Sequence, residues 1–85
     1  MSIYKEEILD NICYTELVYE RINKKLKSNL SKSDIEKLLF DIIKNTQDLF
    51  FQRIGKNIYV TNSENKLRIT INSNTYRVIT VDVIF

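Results

Sequence analysis

The 85-residue chain contains no histidine, no proline and no tryptophan, and only one glycine and one cysteine. Each absence closes off chemistry. Histidine is the commonest general base and metal ligand, so Ser-His-Asp and Cys-His arrangements are impossible. A zinc site needs Cys or His in numbers the chain lacks, and no metal or other cofactor is expected. Gly55 alone cannot build a phosphate-cradling loop or a dinucleotide fingerprint. Cys13 has no partner for an internal disulfide, which favours a cytoplasmic setting. No apolar run approaches the ~18 residues of a membrane span. The start, Met1-Ser2-Ile3-Tyr4-Lys5-Glu6-Glu7, is charged and lacks the apolar core of a secretion signal.

What is present describes a small globular domain. The length suits one domain over residues 1–85. A chain of this size buries roughly 60–65% of its unfolded surface, enough for a small core. Hydrophobic residues make up 44%, which is ordinary for a folded protein and argues against disorder.

The pattern changes once, near Asn45–Asp48, from helical spacing to alternation. Ile35, Leu38, Leu39, Ile42 and Ile43 sit at i, i+3, i+4, i+7 and i+8, one face of an amphipathic helix. Ser33 with Glu36 has the form of a capping box, so this helix is expected over about 34–45. Upstream, Ile8, Leu9, Ile12 and Cys13 form one stripe, with Cys13 packing as a small apolar residue. Val18, Ile22, Leu26 and Leu30 form a second, offset stripe. Thr15 is suited to cap a new helix between them. Two pieces, about 3–13 and 15–28, are therefore expected.

Leu49–Ile54, Ile58–Asn62, Leu67–Asn72 and Tyr76–Ile84 are rich in β-branched and aromatic residues and read as strands. Gly55-Lys56-Asn57, Ser63-Glu64-Asn65 and Ser73-Asn74 are turn-formers in short connections, which implies antiparallel hairpins. The expected fold class is α+β. Two or three N-terminal helices, spanning about 3–45, pack on one face of a three- to four-stranded antiparallel meander spanning about 49–85.

Leu67, Ile69 and Ile71 mark the inner face of the third strand. The last strand is ambiguous, because Val78 and Ile79 have opposite parity. A two-residue turn at Ser73-Asn74 sets Ile69 opposite Val78. A three-residue loop sets Ile69 opposite Arg77 and Leu67 opposite Ile79. The second arrangement is preferred. It puts Ile79, Val81 and Val83 inside and leaves Tyr76, Val78, Thr80 and Asp82 outside.

Charge is uneven. Residues 1–48 carry a net −1 and residues 49–85 a net +3. Arg21, Lys24, Lys25 and Lys27 cluster in the helical half, partly answered by Glu16 and Glu20 at four-residue spacing. A solvated helix face accounts for that cluster.

The strings Gly55-Lys56-Asn57-Ile58-Tyr59-Val60-Thr61, Ile69-Thr70-Ile71-Asn72 and Tyr76-Arg77-Val78-Ile79-Thr80 resemble a small bacterial family, domain of unknown function 3781. Thr15-Glu16-Leu17 and Glu20-Arg21-Ile22 resemble its helical segment. Its members place an Ala-His pair after the final Thr, where Val81-Asp82 stand here. The resemblance implies a fold and no activity.

With catalytic side chains scarce, the expected function is a small non-enzymatic protein-binding module, an inhibitor or regulator of a partner protein. By analogy with other chains of this size, a phage or mobile-element anti-defence role fits. The candidate contact residues are Arg53, Lys56, Tyr59, Arg68, Tyr76 and Arg77, on a sheet face or on the final strand as an edge. The alternative is RNA binding or a His-free ribonuclease similar to RelE-type toxins, using the same cations beside aromatic residues. A net charge of +2 is small for a nucleic-acid binder. A homodimer is the third reading. Phe50, Phe51, Val78 and the terminal Val83-Ile84-Phe85 offer more apolar surface than one small core uses.

Overall fold

The computed structural model describes residues 3–84, of which Ile3 is described by its backbone alone. Three α-helices precede four strands: α1 (Ile3–Asn11), α2 (Glu16–Leu26), α3 (Lys32–Asn45), β1 (Phe51–Ile54), β2 (Asn57–Asn62), β3 (Leu67–Asn72) and β4 (Val78–Val83). The strands form one antiparallel sheet in the order β1-β2-β3-β4. The α+β class, the helices-first order and the meander are thus as the periodicity predicts.

Apolar periodicity explains the packing. Ile35, Leu39, Ile42 and Ile43 from α3, Val18 and Ile22 from α2, and Ile8 from α1 are buried. They meet Phe51, Ile58, Val60, Leu67, Ile69, Ile71, Val78 and Val81 from the sheet in one core. Cross-strand pairing keeps these strand residues on one face: Phe51 opposite Val60, and Ile58 and Val60 opposite Ile71 and Ile69. The other face carries Gln52, Tyr59, Thr70 and Thr80 in one row and Thr61, Arg68 and Asp82 in the next.

Several local expectations are corrected. The cap of α3 is Ser31, whose Oγ accepts from the Asp34 N–H at 3.1 Å; Ser33 lies inside the first turn. Both serines have an acidic residue three positions on, and starting at Ser31 adds hydrogen-bonded backbone. Glu36 is instead used by Tyr19, whose hydroxyl donates to it at 2.5 Å. Thr15 does occupy the position before α2, but its side chain caps nothing. Leu49 and Phe50 belong to a 3-10 turn (Asp48–Phe50), so β1 begins at Phe51. Cys13 lies outside α1 and is exposed.

The last hairpin takes neither expected register. Ile69 faces Val81, Leu67 faces Val83 and Ile71 faces Val78, with a bulge between. Ile79 is the residue without a partner. Val78 and Val81 have opposite parity, and one extra residue between them lets both enter the core. Val78 is therefore inside, 1% exposed, contrary to expectation. The loop is also longer than expected. The Asn72 side chain accepts from the N–H groups of Asn74 and Thr75 at 2.8 and 2.9 Å, an Asx turn that holds residues 73–77 as the connection. Phe51 joins Val78 in the core. Phe50 (40%) and Val83 (52%) stay exposed. Phe85 falls outside the described residues.

Candidate functional site

The six candidate residues divide among three places. Tyr59 and Arg68 lie on the sheet face opposite the core, in adjacent strands. Tyr59 is half-buried, with the Asn57 amide 3.5 Å from its hydroxyl. Arg68 is exposed and its Nε donates to Thr61 Oγ1 at 3.3 Å. Thr70, flanked across the ladder by Tyr59 and Thr80, is buried. Gln52 continues the row onto β1 and is exposed.

Arg53 and Lys56 belong to the β1–β2 hairpin. Arg53 sits opposite Ile58, so it leaves β1 on the helix side of the sheet, where its Nε donates to the Gly55 carbonyl. Gly55 has φ +61° and Lys56 does not, the sign pattern of a II′ turn. That geometry carries Lys56 at the hairpin tip, its carbonyl accepting from the Ser73 N–H at 2.7 Å.

Tyr76 is not a free surface residue. Its backbone is left-handed (φ 57°), it packs against the core, and its hydroxyl donates to the Glu7 carboxylate. That bond, with burial added, pushes its ionisation above the ordinary tyrosine value. Tyr76 thus ties the β3–β4 loop to α1. Arg77 lies beyond it on the β4 edge, exposed, next to Cys13 in a one-residue parallel bridge. The Cys13 N–H donates to the Tyr76 carbonyl and the Cys13 carbonyl accepts from the Val78 N–H.

The two sheet edges therefore differ. At β4 the chain around Cys13 pairs with the start of the strand, and α2 packs along the rest. Arg21 Nη1 donates to the Ile79 carbonyl at 3.1 Å and Lys25 Nζ meets Asp82 at 2.8 Å. At β1, Gln52, Arg53 and Ile54 are all exposed. Leu49 (74%), Ile54 (57%) and Phe50 (40%) flank that edge as exposed apolar side chains. Sequence reasoning named Arg53 as a contact and Phe50 as surplus apolar surface, but chose the final strand as the edge and missed Leu49, Gln52 and Ile54. The one available signal was that Leu49-Phe50-Phe51 is apolar without alternation, more than one face of a strand can bury.

Among the described residues, no group of three or more His, Cys, Asp or Glu is placed to hold a metal ion, and no helix is long and apolar enough to cross a membrane.

Fold and surface together define a small α+β domain with one covered and one open sheet edge. The family model described as a protein of unknown function, DUF3781, matches residues 6–82, and the chain belongs to that family. No curated protein and no solved structure matches it.

Proposed function

We propose that the chain is a small, non-enzymatic protein-binding module of the cytoplasm that inhibits or regulates a partner. The partner docks on the β1 edge and the adjoining sheet face. The observation that carries this reading is the open β1 edge beside exposed Leu49, Phe50 and Ile54. An unpaired edge offers backbone donors and acceptors, and apolar side chains beside it supply area to bury. Gln52, Tyr59 and Arg68 extend the surface with residue types favoured at interfaces.

RNA binding has less support. Arg53 and Arg77 flank opposite edges of a four-stranded sheet, about 14 Å apart at the usual strand spacing, and Arg68 is on the other face from Arg53. The proposed cations do not converge on one phosphate.

The test immobilises the full chain and captures proteins from a lysate of its host, with and without ribonuclease, alongside Ile54→Lys and Tyr59→Ala/Arg68→Glu. A protein retained by the wild type and lost from both variants supports the reading. No retained protein, or retention abolished by ribonuclease, overturns it. Sedimentation at several concentrations shows whether the retained partner is a second copy.

A further inference from the structure

The basic cluster of α2 is exposed, as a solvated helix face requires. Together with β4 it lines a groove of about 840 Å³ whose walls include Leu17, Arg21, Lys24, Lys25 and Ile79. A smaller cleft shares Leu17, Arg21 and Ile79 and adds Arg77. Four cations thus line two adjoining clefts. Of the carboxylates expected to answer them, Glu16 reaches across to Lys32 at 2.6 Å, while Glu20 lines the groove. Lys25 is paired with Asp82, but none of the ion pairs among the described residues involves Arg21, Lys24 or Arg77. Counting Glu20 and Asp82 against the four cations leaves an excess of about two charges. That equals the net charge of the entire chain, +2.

The floor is apolar. Leu17 is 72% exposed beside half-buried Ile79, the residue that the bulge leaves unpaired. Helical geometry explains Leu17. It lies about 100° around α2 from Val18, outside the stripe that Val18 and Ile22 bury. No aromatic side chain lines either cleft, so they lack the stacking platform that single-stranded nucleic acid needs.

We propose that the α2–β4 groove docks an acidic, extended segment of a partner protein. Its carboxylates lie opposite Arg21, Lys24 and Arg77, and one apolar side chain rests on Leu17 and Ile79. From Leu17 to Lys24 the helix rises about 10 Å, which three or four extended residues span. The footprint is therefore a short acidic–apolar–acidic motif. The inference rests on the protein-binding reading but uses a different surface from the β1 edge.

Fluorescence anisotropy on the full chain tests it with three labelled probes: a peptide with a Glu-Leu-Glu-Asp core in Gly-Ser flanks, its Lys-Leu-Lys-Lys counterpart, and a uridine nonamer RNA. The acidic peptide is expected to bind, more weakly as salt rises. Lys24→Glu/Arg77→Glu, whose side chains make no hydrogen bond among the described residues, is expected to weaken it about tenfold or more. Leu17→Ser weakens it several-fold, and Ile54→Lys leaves it unchanged. Absent binding of the acidic peptide, equal binding of both peptides, indifference to Lys24→Glu/Arg77→Glu, or tighter binding of the RNA overturns the proposal. A negative result here with a partner still captured through the β1 edge refutes the groove alone.

Discussion

Single residues hold the helical and strand halves together through polar contacts that sequence patterning does not announce. Asn62 is 7% exposed at the end of β2. Its amide donates to Thr46 Oγ1 at 2.9 Å, and its oxygen accepts from the Asn65 N–H and side chain. Thr46 in turn donates to the Ile42 carbonyl at 2.6 Å, so one chain of bonds joins the end of α3 to the β2–β3 turn. Asn62→Ala leaves these groups without their partner, and a loss of about 2 kcal/mol is expected in urea unfolding. Tyr19 makes a link within the helical half, from α2 to α3. Burial, aided by its bond to Glu36, pushes its ionisation up to about 12 from an ordinary value of 10.0. Its ring stacks on Tyr14 at 5.3 Å, and burial likewise raises Tyr14. A raised folded-state value means that this stability is complete below pH 10 and is lost as pH rises toward 12. Unfolding free energy should therefore fall across that window. In Tyr19→Phe the fall should be shallower, as measured by denaturant titration at each pH.

At the scale of elements, caps and turns decide boundaries. Ser31 and Ser33 are both plausible caps by spacing, and only Ser31 accepts an N–H. Ser31→Ala should cost about 1 kcal/mol, and Ser33→Ala less than about 0.5 kcal/mol, in the same unfolding measurement. A larger loss at Ser33 would restore the capping-box assignment. Gly55 meets nothing within 4 Å where a Cβ would sit, so its φ of +61° alone makes it necessary. Gly55→Ala should destabilise by about 1–2 kcal/mol through left-handed strain. Elsewhere tertiary demands override local preference: Lys27, Lys66 and Tyr76 hold positive φ without being glycine. Lys27 ends α2 there, its N–H returning to the Asn23 and Lys24 carbonyls.

For the whole molecule, the core is continuous from α1 to β4, with Ile69 fully buried on central strand β3. Ile69→Ala should cost about 2–5 kcal/mol, the usual range for a large-to-small change in a core. In a domain this small such a loss approaches the total stability, so thermal unfolding should shift steeply or vanish. Surface changes at Ile54 or Arg68 should leave the unfolding free energy within about 0.5 kcal/mol of wild type. That separation makes binding losses in those variants interpretable as loss of contact.

The residues alone determined the class of fold. Three apolar stripes at helical spacing, then alternating β-branched runs between turn-formers, allow little besides helices on a meander. The reason is local: side-chain periodicity follows from backbone geometry. The register of β2 on β3 puts Tyr59 and Arg68 on one face and Arg53 on the other. What only the tertiary structure decided was everything dependent on distant pairing. The bulge at Ile79 arises because the core demands both Val78 and Val81. Tyr76 is recruited by Glu7, 69 residues away in sequence. The open edge is β1 because α2 and Cys13 occupy β4. Glu16 pairs with Lys32 on α3, and the packing of α2 on β4 sets the cations of α2 beside a groove. Such outcomes depend on which surfaces meet, and no window of a few residues carries that information.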